Sequence, residues 1–170
     1  MHAAIAPTLE DGRVRLRAFK MPDFEPFAEL LRSERARFID GPFDRSQAWD
    51  LFAASAGRWQ LVGYGAWIIE CLETGNPAGF LSLNYPIGDE EREIGYGLFD
   101  GFEGRGLASS AVKLGLVYAR ETLGWRDCVS YIYEDNVPSI RLVKRFGATL
   151  DPDAFVPEGD TTLVYRHLLR

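Results

Sequence analysis

The chain has 170 residues, 46% of them hydrophobic and 26% charged, which suits one domain with its own core and excludes a disordered segment. A formal net charge of -6 argues against a phosphate-tracking protein, so no nucleic-acid partner is expected, and it mildly favours cationic ligands such as amines. Two cysteines exclude a disulfide framework, the chain opens without a secretory leader pattern, and no apolar run approaches the roughly 20 residues of a membrane span. The expectation is therefore one soluble, cytoplasmic domain over residues 1–170 with no membrane partner; monomer and homodimer are both compatible with the sequence.

Gly12 to Phe19 alternates Val14, Leu16 and Ala18 with Arg13, Arg15 and Arg17, which predicts a half-buried strand at or near a sheet edge. Asp23 is placed to cap a helix running to about Arg32, with Phe24, Phe27, Leu30 and Leu31 on its apolar face. Gly41-Pro42 interrupts, and a second helix is expected over Arg45 to Ala56, stopped at Gly57. Gly65–Cys71 and Ala78–Tyr85 read as an antiparallel hairpin around the turn Thr74-Gly-Asn-Pro77. A polar turn at Asp89-Glu-Glu-Arg92 leads into a third strand, Glu93 to Phe99. Trp59 and Trp67 read as core before pocket lining.

Between that strand and a helical run from Leu107 to Thr122 lies Phe99-Asp-Gly-Phe-Glu-Gly-Arg-Gly-Leu-Ala108. A glycine-rich turn at a helix start leaves backbone N–H groups aimed outward, where the helix dipole also favours negative charge. Gly104 and Gly106 lack Cβ atoms, so an anion can approach the main chain closely. A diphosphate is the expected occupant. The helix ends at Gly124, and Cys128 to Tyr133 forms a strand. Asn136 then caps a short helix with Pro138 in its first turn and Ile140, Val143 and Phe146 inward, closed by Gly147. Thr161 to Leu169 reads as the last strand. His2 and His167 stand far apart without metal-ligand spacing around them, so no metal is expected.

Taken together, Glu93-Ile-Gly-Tyr96, Glu103-Gly-Arg-Gly106-Leu-Ala108 and Asn136-Val-Pro-Ser139 through Gly147-Ala148 resemble the GCN5-related N-acetyltransferase (GNAT) superfamily, nearest its RimJ/RimL-like branch. These motifs cover about residues 93 to 148. The family signature opens on Gln or Arg, and Glu103 departs from it. The resemblance implies an α+β fold: a central, mostly antiparallel mixed sheet with one splayed parallel strand pair and helices on both faces. It implies acetyl-CoA as co-substrate, with its diphosphate on Glu103, Gly104, Arg105, Gly106, Leu107 and Ala108 and its pantetheine along Gly95 to Phe99. An amide of Leu98 or Phe99 would stabilise the oxyanion, and Asn136 would anchor the pantetheine arm or the amine. Ser139 would steady the leaving thiolate, and Glu93 is the candidate base. From the basic cluster Arg141, Lys144 and Arg145, Lys144 is assigned to the outer phosphate. The acceptor is a small-molecule amine or a peptide N-terminus, with residues 20 to 65 shaping its pocket.

Two other readings remain at this point. One is an acyl-CoA-binding module without catalysis. The other is a dinucleotide oxidoreductase, since Gly104-Arg-Gly106-Leu-Ala-Ser109 imitates a phosphate-binding glycine fingerprint; it lacks the third glycine and the repeating βαβ units of that fold.

Overall fold

The computed structural model describes residues 5–85 and 91–170. Part of the predicted turn at Asp89 to Arg92, and His2, lie outside the described residues. In chain order the strands are β1 Leu9–Glu10, β2 Val14–Arg17, β3 Ala66–Cys71, β4 Pro77–Asn84, β5 Glu93–Leu98, β6 Asp127–Ile132, β7 Thr149–Leu150 and β8 Leu163–Leu168. The helices are α1 Phe24–Arg32, α2 Arg45–Val62, α3 Leu107–Glu121 and α4 Val137–Arg145. The strands form one 8-stranded sheet in the order β1-β2-β3-β4-β5-β6-β8-β7. Every neighbouring pair is antiparallel except β5 and β6, which run parallel.

Alternation builds β2: Val14 and Leu16 are buried, while Arg15 and Arg17 turn to Glu70 of β3 at 2.8 and 2.6 Å. The sheet carries helices on both faces. Leu81, Ile94 and Trp67 pack with α3 and α4, whereas Ile68 and Phe80 pack with α1 and the start of α2. Gly115 of α3 seats the helix closely, because a Cβ there would lie 2.6 Å from Leu81. Trp59 and Trp67 belong to the core, their rings 4.6 Å apart.

Two boundaries differ from the sequence reading. Asp23 does not cap α1. Its carboxylate, 2% exposed as a residue, accepts two bonds from the Arg17 guanidinium at 2.8 and 2.9 Å and one from the Lys20 amide at 2.7 Å. It thus closes the short 3-10 turn Met21–Asp23 that precedes α1. The second helix runs through Gly57 and ends at Gly63, whose φ of 77° gives the left-handed cap. Burial of Trp59, with its indole N–H donating to the Ala66 carbonyl at 2.8 Å, draws the helix past Gly57. That packing outweighs the ~1 kcal/mol penalty of an internal glycine. At the other end, Asp44 and Gln47 exchange side-chain and backbone bonds, both 2.9 Å, as a capping box.

Candidate active site

The site begins where the sheet parts. Among the described residues, β5 and β6 share a single register pair, Glu93 with Val129, supported by Val129 N–H donating to the Arg92 carbonyl at 2.7 Å. One residue further, Ser130 Oγ donates to the Ile94 carbonyl at 3.0 Å and sits 3.1 Å from His167 Nε2. Beyond that peg the strands diverge, leaving the far part of β5 with one unpaired edge. Because Ser130 gives its proton to Ile94, His167 donates through Nε2. Its Nδ1 is buried without a partner, and burial pushes the imidazole down to about 4.

Strand alternation decides which β5 groups face the opening. Phe99 N–H donates to the Ala78 carbonyl of β4 at 2.8 Å, so its amide is taken. The expectation for Phe99 as an oxyanion donor is corrected accordingly; its ring lies in the aromatic core beside Phe27 and Phe52. Leu98, one residue earlier, directs its amide and carbonyl the other way, toward the opening. The two strand faces also divide. Tyr96 points to the α3–α4 side, where its hydroxyl meets Ser139 Oγ at 2.8 Å. Burial holds the Tyr96 phenol above its ordinary range. Glu93 lies on the opposite side with Gly95 and Gly97: its carboxylate is 3.5 Å from where a Gly95 Cβ would stand. A Cβ on Gly97 would meet Phe80 at 2.8 Å and Leu30 of α1 at 3.2 Å.

Asn136 caps α4, its side-chain oxygen accepting from the Ser139 amide at 3.4 Å. This bond uses the carbonyl oxygen and leaves the NH2 as donor toward a ligand. The same cap fixes Ser139 in the first turn, within reach of Tyr96.

Beyond β5 the glycine turn leads into α3. Gly101, Gly104 and Gly106 all have positive φ, 82°, 73° and 76°, and open space surrounds the Cβ positions of Gly101 and Gly104. Gly106 is the N-cap of α3 and no side chain caps that end. The first amides of α3, at Leu107 and Ala108, therefore lack the usual cap while their side chains are buried. A 15-residue helix with an uncapped, glycine-lined start is the arrangement an oxyanion or diphosphate needs.

Four guanidinium groups surround this turn. Arg13 Nη1 donates to the Arg105 carbonyl at 3.2 Å and would sit 3.1 Å from a Gly106 Cβ. Arg105 turns to Glu73 at 2.6 Å, and Arg35 pairs with Glu103 at 2.5 Å. Arg145 of α4 donates to Ser109 Oγ, in the first turn of α3, at 3.0 Å. Of the α4 cluster, Lys144, expected at the outer phosphate, has its Nζ 5.6 Å from the centre of the Tyr165 ring, and Arg145 is the member that meets the first turn of α3. Arg13 and Arg35 escaped the sequence reading. Arg13 reads as an outward strand residue, and Arg35 belongs to a segment without periodicity.

That segment, the 3-10 stretch Glu34–Ile39, forms a strap across the opening between β5 and β6. Arg35 Nη2 donates to the Leu98 carbonyl at 2.9 Å on the β5 side. On the β6 side Arg37 pairs with Asp135 at 2.7 Å and the Tyr133 hydroxyl donates to Asp40 at 2.9 Å. Among the described residues no cluster of three or more His, Cys, Asp or Glu could hold a metal. Cys71 and Cys128 are both free and buried, and burial pushes the Cys128 thiol up to about 12. No helix among the described residues is long and apolar enough to cross a membrane.

A mixed sheet parted at one parallel pair, with an uncapped glycine turn after β5 and a tyrosine–serine contact between β5 and α4, defines an acyl-CoA-dependent acyltransferase fold. The profile of the acetyltransferase (GNAT) domain matches residues 13–149, and the chain belongs to this family of acetyl-CoA-dependent acetyltransferases. It is similar to the crystal structure of the acetyltransferase from Agrobacterium tumefaciens str. C58, at 37% identity and a TM-score of 0.87, over 95% of this chain and 94% of that one. The fold also matches an acetyl transferase from Salmonella typhimurium that modifies the N-terminal serine of ribosomal protein L7/L12, at 24% identity and a TM-score of 0.71, over 94% and 97% of the two chains. A RimL L7/L12 alpha-N-protein acetyltransferase in complex with coenzyme A matches at 23% identity and 0.73, over 96% and 98%. The antiparallel first half, β1 to β5, leaves no place for the repeated βαβ units of a dinucleotide oxidoreductase.

Proposed function

We propose that this protein, acting as a single domain, transfers the acetyl group of acetyl-CoA to a primary amine, a protein N-terminus or a small-molecule amine, by direct attack with both substrates bound. The observation that carries the reading is the Tyr96–Ser139 hydrogen bond of 2.8 Å placed beside the unpaired edge of β5. Acetyl-CoA supplies the activated acyl group. The amides of Leu107 and Ala108 and the main chain of Gly104 to Gly106 seat its diphosphate, with Arg13 and Arg145 as flanking cations. The open amide of Leu98 donates to the acyl oxygen as charge develops there; one such donor is typically worth ~10²–10³ in rate.

Glu93, on the face shared with Gly95 and Gly97, accepts the amine proton, directly or through water. Ser139 hands a proton to the departing sulfur and recovers it from Tyr96, whose raised phenol pKa keeps it protonated at neutral pH. In balance, a C–N bond forms and the C–S bond breaks while the ammonium loses two protons: Glu93 takes the first and passes it to solvent, and the second, shed by nitrogen as the amide forms, returns through water to the Tyr96 phenolate in place of the proton that Ser139 gave the thiolate. Asn136 orients the pantetheine arm through its NH2 group. The acceptor enters from the α1–α2 side over Phe80 and Leu30, past the Asp40 carboxylate. The Asp40 charge favours a cationic amine.

The test is thiol release from acetyl-CoA across a panel of peptides with different N-terminal residues and of small amines. Turnover with peptides alone, or with small amines alone, selects the acceptor class. Tight acetyl-CoA binding with no turnover on the whole panel would refute catalysis by this site.

A further inference from the structure

The turn that seats a diphosphate carries a carboxylate, Glu103, where the family signature has a neutral or cationic residue. Arg35 answers it. One guanidinium nitrogen, Nη1, lies 2.5 Å from Glu103 Oε1, and another, Nη2, donates to the Leu98 carbonyl at 2.9 Å. A single planar fork therefore joins three stretches of chain: the strap, the open end of β5 and the first position of the glycine turn. The planarity of the group makes this two-point hold stiffer than a lysine would allow.

Stability does not account for the pair. Its side chains are 40% and 45% exposed, and exposed ion pairs contribute only ~0–1 kcal/mol to folding. The other cations beside the turn hold partners other than Glu103. Arg105 turns to Glu73, Arg13 to the Arg105 carbonyl and Arg145 to Ser109. Arg35 is the guanidinium that meets both the strand edge and the Glu103 carboxylate.

We infer that Arg35 is a positioning residue for the acyl-CoA co-substrate: it cancels the Glu103 charge beside the diphosphate seat and, by holding the Leu98 carbonyl, locks the distance between that seat and the end of β5. This inference rests on the acetyl-CoA reading above. Arg35 acts through Glu103 and Leu98, so its removal weakens binding and leaves the chemical step intact. With Arg35 gone, Glu103 repels the diphosphate; with both gone, the repulsion disappears.

The experiment is calorimetric titration of acetyl-CoA into wild type, Arg35→Ala, Arg35→Lys, Glu103→Gln and the Arg35→Ala/Glu103→Gln double variant, with melting curves recorded for each. The expected result is an about tenfold rise in Kd for Arg35→Ala, a change within about threefold for Glu103→Gln, and recovery by the double variant to within about threefold of wild type. Arg35→Lys falls between wild type and Arg35→Ala, because it restores charge without the fork. In steady state Arg35→Ala raises KM for acetyl-CoA and holds kcat within about twofold. A double variant as weak as Arg35→Ala, or an Arg35→Ala protein that binds like wild type, would overturn the inference alone. A wild-type protein that does not bind acetyl-CoA would overturn the acetyl-transfer reading with it.

Discussion

The two lips of the opening are built in different materials. On the acceptor side, residues 19–80 contribute an edge-to-face network: Phe19, Phe24 and Phe27 each lie 5.1–5.5 Å from Phe52 or, for Phe27 again, from Phe80. On the co-substrate side, residues 93–108 offer main chain. Gly95, Gly97, Gly104 and Gly106 keep side chains away from the edge and the turn, and Gly97 admits the Phe80 ring against the strand. One lip holds its shape through large buried rings; the other presents amides and carbonyls. In the proposed function, then, the co-substrate meets backbone amides and carbonyls, while the acceptor amine meets side chains.

Breaking the backbone lip has the largest expected effect. Gly106→Glu forces a side chain onto a residue with φ 76°, 3.1 Å from Arg13 at its Cβ, and puts negative charge in the diphosphate seat. Acetyl-CoA binding should weaken by more than about 100-fold, measured by calorimetry on protein whose circular dichroism is unchanged. Breaking the aromatic lip acts on stability instead. Phe52→Ala removes a buried ring that four other aromatic rings contact, Phe19, Phe24, Phe27 and Trp49, and should lower unfolding free energy by ~3–5 kcal/mol in urea titration. Its acetyl-CoA affinity, measured where the variant is still folded, should stay near wild type; a parallel loss would erase the distinction between the lips.

Ser139→Ala sharpens the same contrast at the junction between them. It should lower kcat by ~10–100-fold and move the acetyl-CoA Kd by no more than about twofold, because the hydroxyl serves proton transfer rather than binding. Unchanged turnover would remove Ser139 from the mechanism. The smallest effect concerns the peg beneath the opening. His167 is held neutral at about 4 against an ordinary 6.5, so the unfolded chain binds a proton there more readily than the folded one. The native state therefore has the full contribution above pH 6.5 and loses it as pH falls through the window from 6.5 to about 4. At pH 5 the loss is on the order of 2 kcal/mol, and His167→Gln should flatten that part of the stability–pH curve.

Much of the co-substrate lip is legible in the sequence because its determinants are local. A strand from Glu93, expected to reach Phe99 and ending one residue earlier, positive-φ glycines, a helix starting at Leu107 and an asparagine cap at Asn136 are each set by neighbours a few residues away. The alternation that frees Leu98 and engages Phe99 is equally local, but which of the two faces outward depends on the register with Ala78 of β4. The charges are not legible. Arg13, Arg35 and Arg145 reach Arg105, Leu98 and Ser109 across 92, 63 and 36 residues, and strand alternation or helix spacing carries no trace of such pairings. The same limit misplaced the end of α2: a glycine marks a stop only when packing beyond it gives nothing back, and Trp59 gives back a buried indole. β1 and β7, two residues each, are too short for any periodicity to register.

The strap reaches the β6 side of the opening by contacts that lie in water: the Arg37–Asp135 pair leaves 59% of each side chain accessible. Exposed pairs of this kind contribute only ~0–1 kcal/mol and weaken as salt is added. On the proposed function, product release should therefore quicken with added salt while the single-turnover rate of acetyl transfer stays constant, a difference that stopped-flow measurement at two ionic strengths would read.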